Sequence, residues 1–198
     1  LRDAANQFFA QAQTTGLLHR LAQEADAEAG DFEYQEARRV QDYIAARLPE
    51  LRALFEQAAA KESLDWRLLA AVGYQESHWN NEAVSADGAA GVMMLTAATA
   101  RAVGVTDRRD AAQNIAGGAA YLAQVLQMIP ERIAEPDRSW LALAAYNVGY
   151  GHLEDARVLA QSQGKDPDSW EVVKQYLPWL AEERWYQQAR RGYARGWE

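Results

Sequence analysis

The stretch "LDWRLLAAVGYQESHWN", residues 64–80, predicts an amphipathic helix that ends in polar residues. Leu68, Leu69 and Val72 recur at spacings of three and four residues, which places their side chains on one stripe of the helix. Glu76 continues this stripe. A carboxyl group held among apolar side chains loses hydration, so its pKa rises toward the range of a general acid near neutral pH. The alternative is an exposed helix end, on which Glu76 is an ordinary surface charge.

Helical spacing and end signals extend along almost the whole chain, with Ser63 or Asp65 as the cap of the first stretch. Further helices are predicted over 1–13, 16–29, 32–48, 48–62, 114–129, 137–151, 168–177 and 179–196. Asn114 and Ser139 are the expected caps of two of them, and Gly149 is an expected left-handed stop. Residues 81–95, rich in glycine and small side chains, are predicted to form a loop.

Composition narrows the function classes. The 198 residues allow one large domain or a domain with an appendage, and the net charge of −8 argues against binding to nucleic acid phosphates. The chain has no cysteine, which excludes disulfides and thiolate metal sites. The three histidines lack metal-ligand spacing and no nucleotide-binding or acyl-transfer motif occurs. We therefore expect neither a metal nor a cofactor.

Two features of the chain bear on its cellular context. No run of residues approaches the roughly 20 apolar positions that a membrane-spanning helix needs. The sequence begins with Leu1 and shows no signal-peptide pattern, which indicates a piece of a longer protein.

Aromatic residues are numerous, with seven Trp and nine Tyr. Helical spacing makes core packing their default role, while the remainder are available to line a sugar-binding groove. Tyr146 and Asn147 precede the expected stop at Gly149, where side chains can point out of a helix end. Ordinary capping and packing is the alternative for this pair.

Three motifs occur in order along the chain: "QES" at 75–77, "SADGAAGVMMLTAAT" at 85–99 and "AAYNVG" at 144–149. Together they resemble the lytic transglycosylases, whose catalytic domain has a goose-type lysozyme fold. The resemblance covers about residues 60–198. It implies a mainly α, lysozyme-like domain with an active-site groove over 31–198. In one branch of the family a solute-binding-type domain precedes the catalytic one, and residues 1–30 resemble the end of that domain.

The resemblance also implies an activity. Lytic transglycosylases cut the β-1,4 bond between N-acetylmuramic acid and N-acetylglucosamine in peptidoglycan and leave 1,6-anhydro-muramic acid ends. One carboxyl group serves first as acid and then as base, and Glu76 matches it. The substrate's N-acetyl group helps to stabilise the developing cation, so a second catalytic carboxylate is not needed. A lysozyme-like hydrolase and an inactive glycan-binding regulatory module are the alternatives.

Supporting residues follow from the same family match. Tyr146 would form a hydrogen bond with Glu76 and orient it, and Asn147 would support the site. Contacts near the reacting sugar would come from Ser77, Ser85, Met93 and Met94. Many relatives have Gln at the position of Met94, so this side chain implies packing on a sugar rather than a hydrogen bond. Glu182 matches the family's C-terminal pattern only loosely.

Partners and location are implied by the family as well. Peptidoglycan glycan strands and muropeptides are the expected partners. The expected location is the periplasm, with peripheral association to the outer membrane. The preceding solute-binding-type domain is expected to gate the groove in response to a ligand.

Overall fold

The computed structural model describes residues 31–187 and 189–194, so the two helices predicted within 1–30 lie outside the described residues. The chain divides into two compact units, the first ending at Ala116 and the second beginning at Gly117. Within the described residues the regular structure is helical. Its β pairing is limited to isolated bridges of Ala90 with Val84 and with Leu95.

Four helices and the start of a fifth form the described part of the first unit. They are α1 (Asp31–Ala46), α2 (Leu48–Glu62), α3 (Trp66–Ser77), α4 (Ala97–Ala102) and α5 (Ala111–Met128), the last of which continues into the second unit. Helix α2 packs against both α1 and α3. The predicted loop over 81–95 lies between α3 and α4.

The boundaries of α2 and α3 follow from local chemistry. Pro49 lies in the first turn of α2, where its missing N–H is tolerated. Ser63 ends α2 in the left-handed region, with φ of 58°. Asp65 caps α3, because its carboxylate accepts the Arg67 N–H at 2.8 Å. Of the two predicted caps, Asp65 is therefore the one that is used.

Gly73 lets α3 approach the core of the first unit closely. A Cβ at this position would lie 3.0 Å from Met93 Sδ and 3.1 Å from a ring carbon of Phe55. Both of these side chains are fully buried, as is Leu69 on the apolar stripe of α3. The absence of a side chain at Gly73 thus fixes the depth at which α3 packs, and with it the position of the turn that carries Glu76.

The second unit is built on two adjacent helices, α6 (Asp137–Val148) and α7 (Tyr150–Ser162), which pack against each other. Gly149 separates them with φ of 89° and ψ of 139°, so the chain breaks and restarts its helical hydrogen bonding within one residue. Shorter elements follow: α8 (Trp170–Val173), a 3₁₀ turn (Pro178–Ala181) and α9 (Glu183–Tyr186). The core of the second unit includes the buried side chains Leu141, Ala145, Leu153, Ala156, Val173, Leu177 and Leu180.

Two predicted caps are wrong. Helix α5 begins at Ala111, so Asn114 lies inside it, and the Asn114 side chain binds loop backbone instead. Helix α6 begins at Asp137, two residues before Ser139. The Glu135 carboxylate accepts the Ser139 N–H at 3.1 Å, which makes a serine cap unnecessary.

The C-terminal helices also differ from prediction. Helix α7 was not predicted, and the helices expected over 168–177 and 179–196 are reduced to four-residue elements among the described residues. One cause is Asp155, whose carboxylate accepts the backbone N–H groups of Arg190 and Arg191 at 3.1 and 2.8 Å. These two amides are drawn to α7 and leave the helical hydrogen-bond pattern.

Among the described residues, the helices are each too short or too polar to cross a bilayer.

Candidate active site

Glu76 lies in the last turn of α3 and is half-buried. Burial raises the pKa of its carboxyl group from 4.5 to about 7. Loss of hydration is the cause, and across the described part of the chain no neighbouring charge or hydrogen bond offsets it. Glu76 therefore retains a proton over much of the neutral range, which an exposed glutamate does not.

The end of α3 is held in place by its aromatic neighbours. Trp79 is buried and donates its indole N–H to the Ala70 carbonyl at 2.7 Å. His78 and Trp79 both have positive φ, 52° and 57°, so the chain turns sharply after Ser77. Arg47 donates to the His78 carbonyl at 2.8 Å, and Tyr43 stacks on the His78 ring with centroids 5.5 Å apart. The turn that carries Glu76 is thereby anchored from two sides.

Ser77 connects α3 to the glycine-rich loop. Its hydroxyl is buried and donates to the Val92 carbonyl at 2.8 Å, while its oxygen accepts the Asn80 N–H at 3.0 Å. The hydroxyl proton is used within the fold. Through this hydrogen bond, Ser77 holds the glycine-rich loop next to the last turn of α3, the turn that carries Glu76.

Ser85 closes a tight turn at the start of the same loop. Its N–H donates to the Ala89 carbonyl at 2.9 Å, and its hydroxyl oxygen accepts the Ala89 N–H at 3.1 Å. Gly88, with φ of 79°, completes the turn by donating to the Ser85 carbonyl at 3.0 Å. These bonds give Ser85 a structural role in the described loop.

Asn114 is the residue that sequence reasoning missed. It is fully buried, and its side-chain oxygen accepts the Met93 N–H at 2.7 Å. Its side-chain amide donates to the carbonyls of Ala90 and Arg108, at 2.9 and 2.8 Å. A signal existed, because Asn114 shares a helical stripe with apolar neighbours just as Glu76 does. One side chain thus satisfies three backbone groups of the first unit.

Gly91 is required by this arrangement. Its φ is 84°, and a Cβ there would lie 2.4 Å from Asn114 Nδ2 and 2.3 Å from the Arg108 carbonyl oxygen. No side chain fits at these distances, which are well inside van der Waals contact. The close approach of the loop backbone to Asn114 therefore depends on glycine.

The two methionines of the loop differ in their surroundings. Met93 is fully buried, and its sulfur lies close to Gly73 in the core. Met94 has a positive φ of 47° and is half-buried. Met94 is thus the methionine whose side chain retains surface for contact with a ligand, while Met93 supports the loop from below.

Tyr146 and Asn147 occupy the last turn of α6 in the second unit. Tyr146 is half-buried, and its ring lies 5.3 Å from that of Tyr121 at an interplanar angle of 52°. Burial raises the pKa of the Tyr121 phenol. Asn147 is exposed at the end of the helix. The hydrogen bond expected between Tyr146 and Glu76 stays a prediction.

Glu182, the remaining candidate, lies on the surface. Its side chain is 49% exposed and accepts a hydrogen bond from Arg184 Nε at 2.9 Å. An exposed ion pair of this kind contributes little to stability.

Within residues 31–187 and 189–194, no group of three or more acidic or histidine side chains is placed to hold a metal ion.

Comparison with known proteins identifies the family to which the chain belongs. The family described as "Transglycosylase SLT domain" matches residues 53–169, and the chain belongs to that family. The predicted fold class, mainly α and lysozyme-like, is confirmed by this membership and by the helical elements described above.

Individual relatives sharpen the comparison. The chain is 50% identical over all 198 residues to membrane-bound lytic murein transglycosylase F 1 of Alkalilimnicola ehrlichii, of which it covers 40%. Identity to membrane-bound lytic murein transglycosylase F of Stutzerimonas stutzeri is 51% over the same length, covering 41% of that protein. The chain thus spans about two fifths of these curated relatives.

A solved structure is also similar in part. It is an inactive mutant of the lytic transglycosylase Slt of Pseudomonas aeruginosa, matched with a TM-score of 0.44 and 24% identity. The match covers 71% of this chain and 24% of that one.

Proposed function

We propose that the chain carries the catalytic domain of a peptidoglycan lytic transglycosylase, over residues 31–198, with Glu76 as its single acid and base. The bond cleaved is the β-1,4 link from N-acetylmuramic acid to N-acetylglucosamine. The half-buried carboxyl group of Glu76, with its pKa raised to about 7, is the observation that carries this proposal. Family membership and the names of the relatives support it.

The first step needs an acid. Glu76, protonated, donates its proton to the glycosidic oxygen as the bond from that oxygen to the muramoyl C1 breaks. A carboxyl group with an ordinary pKa would be almost fully ionised at neutral pH and could not act in this way. Burial, which no charge or hydrogen bond among the described residues offsets, supplies the required protonation state.

The second step needs a base. Glu76, now ionised, accepts the proton of the muramoyl 6-hydroxyl as its oxygen attacks C1 and closes the 1,6-anhydro ring. Atoms balance without water, and the carboxyl group ends in its starting state. Because the developing positive charge is stabilised by the substrate's own N-acetyl group, one carboxyl group suffices.

Other side chains are assigned supporting roles. Tyr146 orients the Glu76 carboxyl group, Asn147 supports the site, and Met94 packs on a sugar face. The hydrogen bonds of Ser77 and Ser85 favour a role in shaping the loop over direct contact with the reacting sugar. Met93 supports the loop as a core residue, and the surface ion pair of Glu182 argues for an outlying role.

For the whole protein we infer a periplasmic enzyme with peripheral attachment to the outer membrane, acting on glycan strands and muropeptides. The relatives' printed name, membrane-bound lytic murein transglycosylase F, supports this location and substrate. Those relatives are about two and a half times as long, which leaves room for a preceding solute-binding-type domain that gates the groove, its end lying within residues 1–30.

Product masses test the proposed reaction. Purified peptidoglycan digested with the chain should release muropeptides that end in 1,6-anhydro-muramic acid, each lighter by one water than the corresponding lysozyme product. Reducing-end muramic acid as the main product would identify a hydrolase instead. Absence of soluble products, with binding retained, would identify an inactive glycan-binding module.

A further inference from the structure

A cavity of about 400 Å³ is lined by two segments of the first unit. The glycine-rich loop contributes Val84, Gly88 and Ala90, and the connection from α4 to α5 contributes residues 106–109. This volume falls within the range of about 300–1,000 Å³ that is usual for small-ligand sites. The reaction assigned to Glu76 uses none of these residues.

Arg108 is a half-buried cation in the wall of this cavity, and only part of its guanidinium is used within the fold. Its Nη1 donates to the carbonyls of Gly88 and Leu95 at 2.6 and 3.0 Å, which occupies both Nη1 protons. Within the described part of the chain, its Nε and Nη2 form no hydrogen bond and the residue has no ion pair. The Nε–Nη2 edge matches the two oxygens of a carboxylate, so it is left for a ligand of that kind.

The position of this edge is fixed from both ends of the residue. The Arg108 carbonyl accepts the Asn114 side-chain amide at 2.8 Å. The preceding turn is held by Gln113, whose Oε1 accepts the N–H groups of Thr106 and Asp107 at 3.1 and 3.3 Å. With Nη1 bound to loop carbonyls as well, the guanidinium has little freedom to lose when a ligand binds.

The charges near Arg108 select among anions. Asp107 also lines the cavity, and its Oδ1 accepts the Arg109 N–H at 2.8 Å. Glu82 Oε2 lies 3.9 Å from Arg109 Nη1, so Arg109 has an acidic neighbour of its own. These two carboxylates repel a ligand that carries more than one negative charge, which favours a single carboxylate over a phosphate.

The wall contributed by the loop is small and apolar. Val84 leaves 55% of its surface exposed, and a Cβ at Gly88 would meet no atom within 4 Å. Short aliphatic groups can therefore pack on Val84 without a clash at Gly88. A carboxylate attached to a small side chain, such as that of a terminal alanine, fits this combination of charge and shape.

We propose that this cavity binds the terminal carboxylate of a peptidoglycan peptide stem, through the Nε–Nη2 edge of Arg108, while Val84 packs on the terminal alanine. This inference rests on the proposed function, since peptidoglycan is the substrate that brings alanine-ended stems to the chain. The chain thereby reads the peptide of its substrate at a site separate from the carboxyl group of Glu76.

NMR titration of the isotope-labelled chain tests the site with small probes. Backbone signals of residues 84–90 and 106–109 should shift with N-acetyl-D-alanyl-D-alanine. Its C-terminal amide lacks the negative charge and should bind at least about tenfold more weakly. Acetate and inorganic phosphate should also bind more weakly, and the L,L isomer no more tightly. Because the protein is the same throughout, the role of Arg108 in holding the loop does not affect this comparison.

Variants separate the planar fork of Arg108 from its charge. Arg108→Lys keeps the charge but lacks the fork, so the D-alanyl probe should bind about tenfold more weakly. Arg101→Lys makes the same change at an exposed position of α4 and should have no effect. Val84→Glu adds a like charge beside the carboxylate and should weaken binding about threefold or more, whereas Val84→Lys should not. The exposure of Val84 makes both of these variants compatible with folding.

The contrary results are specific. Equal affinity for the carboxylate and its amide overturns the site, as does tighter binding of acetate, phosphate or the L,L isomer, or the absence of any shift with the D-alanyl probe. Equal losses in Val84→Glu and Val84→Lys contradict it as well. Melting temperatures show whether Arg108→Lys is folded, and if it is not, the probe comparison and the Val84 pair decide.

Failure of the proposed function is distinguishable from failure of this site. Glu76→Gln should bind the D-alanyl probe as the parent does, because the titration involves no turnover. Anhydro products from the parent chain, together with equal binding of carboxylate and amide, would overturn the peptide site alone. Selective binding of the carboxylate without anhydro products would overturn the proposed reaction alone.

Discussion

Glu76 in the first unit and Asp155 in the second are both carboxylates on helices, yet their surroundings differ. Asp155 is 7% exposed and accepts two backbone N–H groups, from Arg190 and Arg191. Glu76 is half-buried, and in the described part of the chain nothing offsets its loss of hydration. A buried carboxylate that accepts backbone N–H groups holds two parts of the chain together. A buried carboxyl group without such hydrogen-bond donors retains its proton to a higher pH. The two carboxylates thus differ in their hydrogen bonds as well as in their burial.

The largest expected effect is on catalysis. Glu76→Gln keeps the shape of the side chain but removes its transferable proton, so release of anhydro-muropeptides from purified peptidoglycan should fall by about 10³-fold or more. Glu56→Gln makes the same chemical change on the exposed face of α2, where Glu56 pairs with Arg52, and should leave the rate unchanged. Comparable rates for the two variants would remove Glu76 from the reaction.

A second test concerns the buried Asn114 side chain of the first unit, whose polar atoms all form hydrogen bonds. Asn114→Ala removes the three hydrogen bonds that its side chain makes to the Met93 N–H and to the Ala90 and Arg108 carbonyls, so we expect the free energy of unfolding to fall by about 3 kcal/mol. Denaturant titration measures this change. Gln124→Ala, which truncates an exposed amide on α5, is the matched control. A loss of less than about 0.5 kcal/mol would show that the loop does not depend on Asn114.

Asp155→Asn tests whether Asp155, the second carboxylate of the comparison, has a structural role. The amide keeps one acceptor oxygen and loses the charge, so stability should fall by about 2 kcal/mol, measured by denaturant titration. The rate of the folded protein should remain that of the parent, since Asp155 holds the chain rather than the substrate. Glu171→Gln, at an exposed carboxylate, should change neither quantity. A variant of unchanged stability but reduced rate would reverse the assignment.

The smallest effect is on stability at high pH. The folded chain holds the Glu76 proton up to a pKa of about 7, whereas the ordinary value is 4.5, so the folded state binds more protons between these values. Stability contributed by this group is therefore full below pH 4.5 and declines as the pH rises through 7. Glu76→Gln removes this decline and should stabilise the protein by about 1–2 kcal/mol at pH 8, since partial exposure screens part of the shift. Parallel stability profiles of parent and variant would contradict the raised pKa.

Much of the fold could be predicted because local signals dominate it. Pro49 and the caps near Asp65 bound α2 and α3 as predicted, and the glycine-rich loop follows from its composition. Helical spacing alone made Glu76 a candidate but left an exposed helix end as the alternative, and only the family resemblance assigned it a catalytic role. The same spacing places Asn114 on an apolar stripe. Because asparagine is also a preferred N-cap residue, Asn114 was instead predicted to lie at the start of a helix.

The remaining errors depend on contacts between residues far apart in sequence. The chain near Arg190 and Arg191 leaves helical geometry because Asp155, some 35 residues earlier, accepts their N–H groups. Ser77 is committed to the Val92 carbonyl, 15 residues away, which no spacing rule indicates. Such long-range hydrogen bonds are decided by packing, so a single sequence carries no local signal for them.

The central claim is that the fold keeps Glu76 protonated near neutral pH. Isotope-edited NMR of the side-chain carboxyl carbon, assigned by its absence in Glu76→Gln and titrated from pH 3 to 9, measures this property directly. The structure predicts a midpoint of about 7 for Glu76. A midpoint near the ordinary value of 4.5 would show that the carboxylate is solvated and would contradict its role as the general acid.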